Sequence, residues 1–216
     1  MNFRYPIFLD LTGKHCIVIG DGYEVPGKVR TLVECGAEVT YVNPTAEHSI
    51  AELAAAGRLH WQQRGFLASD LDNCFLVVTD QADNSEVFHL AEQRNVLCNA
   101  ADDPEFCRFS FGSTVSRGNL TIAISTNGVA PALAVRIRQR LEREIGPEYS
   151  AFTAMLSEFR PEITGAIDDF ETRRDLWYKL IDSAALDLIR QEKPDEARRL
   201  LREMIDQAKA AARVVH

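Results

Sequence analysis

Over its first hundred residues the chain alternates short β-prone apolar runs with helix-patterned segments, and this alternation restricts the fold more than any other feature. HCIVI (15–19), EVTYV (38–42), CFLVVT (74–79) and VLCN (96–99) are too short for stable helices and read as strands. LHWQ (59–62) is a shorter strand candidate. Between them, KVRTLVEC (28–35, stopped by Gly36), Ala46–Gly57 and Ser85–Arg94 carry helical spacing. Parallel neighbours need a long crossover, usually a helix, and a strand–helix–strand unit takes about 30 residues. The expected fold class is therefore α/β, a Rossmann-like, doubly wound parallel sheet domain.

The loop after the first run, IGDGYEVPGKVR (19–30), decides what such a sheet could bind. In Gly20-x-Gly22 the first glycine permits a tight turn, and the second lets the backbone approach a pyrophosphate at the next helix start. Val25 stands where a third small residue packs helix on strand, so its bulk is expected to push the helix slightly outward. Pro26 fits only a first helical turn, which places the helix start near Val25 or Pro26. Gly20, Asp21, Gly22, Tyr23, Glu24 and Val25 are the candidate dinucleotide contacts. An ordinary strand-to-helix turn can show the same two glycines. About 20 positions on, an acidic residue commonly holds the adenosine ribose. Here Asn43 stands there, before Pro44. It can hydrogen-bond a ribose hydroxyl but does not repel a 2′-phosphate, so preference for NAD over NADP should be soft. Thr79 and Asp80 end the central strand at the same edge, as cofactor contacts or as a strand end with an Asx turn.

After about residue 108 the pattern changes. Phe109–Val115 and Asn119–Ser125 are β-rich runs flanking the turn Ser116-Arg117-Gly118, and Ala132–Ile145 follows Pro131 as a long helix. From 151 onward, apolar residues recur at helical spacing, as in Leu176, Trp177, Leu180, Ile181, Ala184, Leu188 and Ile189. Net charge is −8, which disfavours a general nucleic-acid or membrane-surface role. No run approaches the roughly 20 apolar residues of a membrane span, and the start lacks a secretory signal pattern. Five cysteines without a Cys-x-x-Cys, four of them in or beside apolar runs, read as small core residues of a cytoplasmic protein. The five histidines show no ligand spacing, so no metal site is expected.

Several stretches together resemble the precorrin-2 dehydrogenase / sirohydrochlorin ferrochelatase family of siroheme synthesis. They are YPIFLDL, the VIGDG loop, ECGAEVTYVNP, LVVTDQAD (76–83), CNAADDPEFCRF (98–109) and LTIAISTNGVAPALA (120–134), the last two being the most specific. The resemblance implies NAD-dependent oxidation of precorrin-2 to sirohydrochlorin, with ferrous iron inserted as a second substrate in some members. It implies a homodimer in three parts: an NAD-binding domain over 1–112, a dimerisation region over 113–150 and a helical domain over 151–216. In CN-x-x-D it points to Asp102, not Asp103, as the residue tied to both activities. Departures are Val25 with Gly27-Lys28 in the loop, Phe109-Ser110-Phe111-Gly112 after the aspartate, and Ala130-Pro131 before the long helix.

The residues fit that chemistry. NAD takes a hydride, and a carboxylate at the C-terminal edge of the sheet can take the proton. Asp102 occupies that edge, with Asp103 before Pro104 as a turn cap; both could equally be a plain Asp turn. Ser125, Thr126, Asn127 and Gly128 precede a helix start, a place that attracts the carboxylates of a tetrapyrrole. Arg136 and Arg140, with Arg143 and Arg138, form a stripe for further carboxylates or a solvated face. Two rivals stay open: a nucleotide-sensing module without catalysis, and a chelatase that has lost dehydrogenase activity.

Overall fold

In the computed structural model, which describes residues 5–214, five strands form one parallel sheet. They are β1 (His15–Gly20), β2 (Glu38–Val42), β3 (His60–Gln62), β4 (Leu76–Asp80) and β5 (Leu97–Ala100), in the order β3-β2-β1-β4-β5. Helices α1 (Val25–Glu34), α2 (His48–Ala55) and α3 (Ser85–Arg94) provide crossovers. The order of strands reverses between β1 and β4, which makes that junction the switch point of the sheet.

Alternation explains why the central strands read as apolar throughout. Cys16 and Val18 of β1 pack with Val29 and Leu32 of α1, Tyr41 of β2 and Ile50 of α2. The intervening Ile17 and Ile19 pack with Val77 of β4 and Val87, Phe88 and Ala91 of α3. Both faces of β1 are buried, as a parallel sheet requires. Burial also pushes the thiols of Cys16 up to about 11 and of Cys74 and Cys98 up to about 12. Cys35, by contrast, is exposed.

The chain divides into two compact units, Met1–Phe111 and Gly112–His216. The run 109–115 is a strand only from Ser113 onward. Its first part belongs to the sheet unit, where Phe109 and Phe111 pack on the α1 side of the core. Here the amide of Arg108 donates to the Cys98 carbonyl (2.8 Å), and Asn99 Nδ2 donates to the Phe109 carbonyl (2.9 Å). This segment covers the β5 edge, which would otherwise present unpaired backbone groups.

The second unit opens with the antiparallel hairpin β6 (Ser113–Arg117) and β7 (Leu120–Ile124), then α4 (Pro131–Glu144). Four helices follow: α5 (Glu148–Ala166), α6 (Phe170–Ile181), α7 (Ala185–Arg190) and α8 (Pro194–Val214). Phe152, Phe159 and Ile163 of α5 meet Leu176 and Leu180 of α6 and Leu201 and Ile205 of α8. Ion pairs Arg198–Glu158 and Arg202–Glu162, each 2.5 Å, flank the α5–α8 contact. Among the described residues no helix is long and apolar enough to cross a membrane. Leu201 is fully buried in this core. Leu201→Ala should therefore cost about 2–5 kcal/mol of the second unit's stability. A lowered urea midpoint checks this, and an unshifted midpoint would contradict the burial.

Candidate functional site

The site is built where β1 and β4 end side by side. Gly20 pairs with Asp80 in the β1–β4 register. At Gly20 the backbone turns with φ +98°, and an added Cβ would lie 2.0 Å from the Asp80 carbonyl oxygen. Only glycine can make this turn. At Gly22 an added Cβ would lie 1.7 Å from Asp80 Oδ2, so the Asp80 side chain rests on the loop itself. The loop then closes by a Val25 amide bond to the Gly22 carbonyl (3.0 Å), and α1 begins at Val25 with Pro26 in its first turn.

The bulk of Val25 is taken up by the core. The side chain is 1% exposed and packs in the core cluster with Val29 and Tyr41, so it anchors the helix start. Tyr23 is wholly exposed and Asp21 is exposed. Glu24 pairs with Lys28 at 3.1 Å, and the Lys28 ammonium lies 4.2 Å from the centre of the Phe111 ring.

Tyr41 and Asn84 are two supporting residues that sequence reading missed. The Tyr41 hydroxyl donates to the Gly20 carbonyl (2.9 Å), fixing the loop to β2. Burial, then the nearby Asp21 charge, pushes this phenol up to about 12, so it stays a donor. Asn84 Oδ1 accepts from Thr79 Oγ1 (2.9 Å) and from the Gln81 amide (3.1 Å). Thr79 is 0% exposed, and its hydroxyl is therefore committed to Asn84 and not presented as a cofactor contact. It positions the turn after β4. The spacing Thr-Asp-x-x-x-Asn held this signal, since Asn commonly accepts from turn amides.

Asn43 lies at the end of β2, as expected. Its Nδ2 donates to the Thr45 carbonyl (2.9 Å) and its own carbonyl accepts from Trp61 Nε1 (2.9 Å). The amide end is thus occupied and Oδ1 remains to meet a hydroxyl.

Asp102 follows β5, exposed, with φ +55°. Left-handed backbone outside glycine is uncommon, and Asp and Asn are among the residues that tolerate it. Asp103 begins a short 3₁₀ turn at Pro104–Phe106, but its side chain makes no capping bond. The cap expected of Asp103 is therefore absent. Asp80 is held above the usual carboxylate range, chiefly by burial and then by the charges of Asp102, Glu24 and Asp21. These four carboxylates therefore share one sheet edge.

The remaining candidates lie in the second unit. Asn127 and Gly128 both have positive φ (52° and 81°). Ser125 Oγ accepts from the Asn127 amide (3.1 Å) and Thr126 Oγ1 from the Ala130 amide (3.3 Å). These hydroxyls shape the turn before α4 and keep their own protons free to donate. Arg140 pairs with Glu144 (2.8 Å) and Arg138 with Glu142 (2.5 Å). That part of the stripe is a salt-bridged face; Arg136 is exposed without an ion pair among the described residues.

A glycine-lined turn at the switch point, leading into a helix start, fits a dinucleotide. Comparison with known proteins agrees. Residues 7–113 match a putative NAD(P)-binding family, 117–144 the sirohaem biosynthesis protein central region, and 148–205 the sirohaem synthase dimerisation region. The dimerisation name thus falls on 148–205, C-terminal to the 113–150 segment that sequence reading gave that role. A siroheme synthase of Nitrosococcus oceani is 34% identical over 89% of this chain and 42% of its own length. One of Serratia proteamaculans is 32% identical over 94% and 43%. The chain spans less than half the length of these curated relatives. A solved structure titled SirC, precorrin-2 dehydrogenase, superposes with a TM-score of 0.75 at 26% identity, over 93% of this chain and all of that one.

Two outcomes follow from the geometry. Gly22→Asp places a charged side chain against Asp80 and should abolish binding of a nicotinamide dinucleotide, read by calorimetry, while the sheet still folds. Asp80 carries a raised pKa, so its ionisation opposes folding. That penalty is full above its folded pKa and vanishes below the unfolded value of 3.8. Asp80→Asn should therefore raise Tm at pH 7, with the gain disappearing at pH 3. An equal gain at both pH values would show that charge is not the cause.

Proposed function

This chain belongs to the siroheme synthase family, and from that premise we propose that it oxidises precorrin-2 to sirohydrochlorin with NAD as hydride acceptor. The observation that carries the reading is the meeting, at one sheet edge, of the Gly20–Val25 dinucleotide turn with a carboxylate, Asp102, held in left-handed backbone. The likeness to SirC, a precorrin-2 dehydrogenase, supports the activity, and the likeness to siroheme synthases supports extending it to insertion of ferrous iron, taken as substrate. The proposal includes a homodimer, supported by the match to a dimerisation region. The sheet unit, 1–111, is the dinucleotide-binding part in this reading, and the 148–205 helices, not 113–150, join the subunits.

Each residue then has a task. Gly20 and Gly22 let backbone amides approach the pyrophosphate, and the start of α1 offers its positive end. Tyr41 holds the turn in shape through the Gly20 carbonyl. Asn43 Oδ1 accepts from the adenosine ribose. Bound NAD supplies the hydride acceptor. Asp102 accepts the proton lost from the substrate. Ser125–Gly128 and Arg136 meet substrate carboxylates. A module that only sensed nucleotide would have no use for Asp102. The lost-dehydrogenase reading drew on the unusual loop, and the burial of Val25 gives that departure a packing reason.

The neighbouring acids provide an internal control. Asp102→Asn keeps size but removes the basic oxygen, and should lower turnover by about 10²–10⁴ with NAD affinity intact. Asp103→Asn should cost little activity and little stability, since its side chain caps nothing. Turnover of both variants under saturating NAD decides; loss in Asp103→Asn alone would reverse the assignment. For the cofactor, Asn43→Asp should increase the preference for NAD over NADP by repelling a 2′-phosphate. Equal Kd ratios before and after would place selectivity elsewhere.

A further inference from the structure

β5 is an edge strand, so every second residue turns its backbone N–H and C=O away from β4. Leu97 and Ala101 donate to the β4 side, to the carbonyls of Phe75 (3.2 Å) and Thr79 (2.8 Å). Cys98 and Ala100 therefore face outward. The Cys98 carbonyl accepts from the Arg108 amide. Ala100 is met by a side chain, the half-buried Cys107 thiol. Its Sγ accepts from the Ala100 amide (3.3 Å) and donates to the Ala100 carbonyl (3.1 Å). One sulfur thus supplies both bonds that a neighbouring strand would give, as a thiol can by being donor and acceptor at once. Asn99, only 7% exposed, donates through Nδ2 to the same sulfur (3.4 Å) and to the Phe109 carbonyl (2.9 Å).

These bonds bracket Asp102. The Asp103 amide closes a turn onto the Ala100 carbonyl (3.4 Å), and the Asp103 carbonyl is a second acceptor for the thiol proton (3.4 Å). The residues on either side of the turn are therefore tied to one sulfur, while Ala101 is tied to Thr79. Asp102 stands between them at φ +55°. A non-glycine residue keeps such backbone only where its surroundings over-determine it. Core packing does not account for Cys107. Cys16 and Cys98 belong to the two apolar clusters of the sheet, and Cys107 is in neither. Its contacts are polar, and all of them fall on residues 99, 100 and 103.

We propose that Cys107, held by Asn99, is a positioning residue for the reaction: its sulfur fixes the 100–103 turn and so the place from which the Asp102 carboxylate takes the substrate's proton. The inference rests on the proposed function and extends it to residues that touch neither substrate nor cofactor. The test uses the full chain, precorrin-2 and saturating NAD without oxygen. Cys107→Ala should lower kcat by about tenfold or more, since a small misplacement of a reacting group is costly. KM for precorrin-2 and Kd for NAD should change little, because the Gly20–Val25 turn lies on another strand. Cys107→Ser, which again donates and accepts, should recover most of the lost kcat. Added to Asp102→Asn, Cys107→Ala should slow turnover no further, because the group it positions is already gone. A residue that served stability alone would lower both backgrounds by the same factor. Where Cys107→Ala does not fold, Cys107→Val takes its place with the same expectations. An unchanged kcat in Cys107→Ala, a Cys107→Ser no better than Cys107→Ala, or full additivity with Asp102→Asn would overturn the positioning role alone. Full turnover in Asp102→Asn, or a parent chain that does not oxidise precorrin-2, would overturn the proposed function and the positioning role with it.

Discussion

The placement of Gly20 opposite Asp80 is the constraint on which the sheet edge depends. The two strands end so close that no side chain fits at position 20, and at position 22 a side chain would have to displace the Asp80 carboxylate. The chain must therefore leave β1 through a glycine turn, and that turn delivers it into α1 with Val25 already buried. The same contact explains why the loop tolerates a valine where a small residue is usual. Helix and strand are held in register by Gly20, Gly22 and the Tyr41 bond, so the third position is free to contribute apolar packing.

Buried polar groups reinforce this edge. Among the described residues the buried polar side chains are Thr79, Asn84 and Asn99, and all three serve the C-terminal ends of β4 and β5. Thr79 and Asn84 bond each other, and Asn99 reaches the Phe109 carbonyl. An unpaired polar group buried in a core costs on the order of 1–3 kcal/mol, so each of these bonds also fixes geometry. The interior is apolar where it supplies stability and polar where it shapes the turns that carry Asp80 and Asp102.

Much of this was legible from residue order. The β1, β2 and α3 segments fall within a residue of their expected bounds, because buried strands and an amphipathic helix carry strong local patterns. The Gly-x-Gly turn was legible because its chemistry is local. Phe109–Gly112 was misread as strand because an apolar alternation looks the same whether it pairs with a neighbour or packs as a cover. Tyr41 read only as a strand residue, since its hydroxyl partner lies 21 positions away. Thr79 stays open in the sequence between a cofactor contact and a strand end, because nothing in a linear pattern reports that Asn84 accepts its hydroxyl proton. The exposed apolar face of α6 is illegible in the sequence for a similar reason. Phe170, Tyr178 and Ile181 share the composition of core residues, and only the folded unit leaves them exposed.

Four carboxylates at an edge that is to receive an anionic cofactor look self-defeating. Asp21, Glu24 and Asp102 all raise the cost of ionising Asp80, and a pyrophosphate nearby would raise it further. Lys28 offsets Glu24, and the positive end of α1 would meet the phosphates of a bound dinucleotide, but neither serves Asp102. The proposed reaction supplies the reason for keeping the acid there. In that reaction bound NAD would supply the hydride acceptor, and Asp102 would take the proton that the substrate loses, so that its negative charge is neutralised as the substrate is oxidised. Asp102 is suited to this proposed role because it is exposed just past the end of β5, where a substrate can reach it without opening the core. Asp80, more enclosed and resting on Gly22, is the acid that shapes the loop.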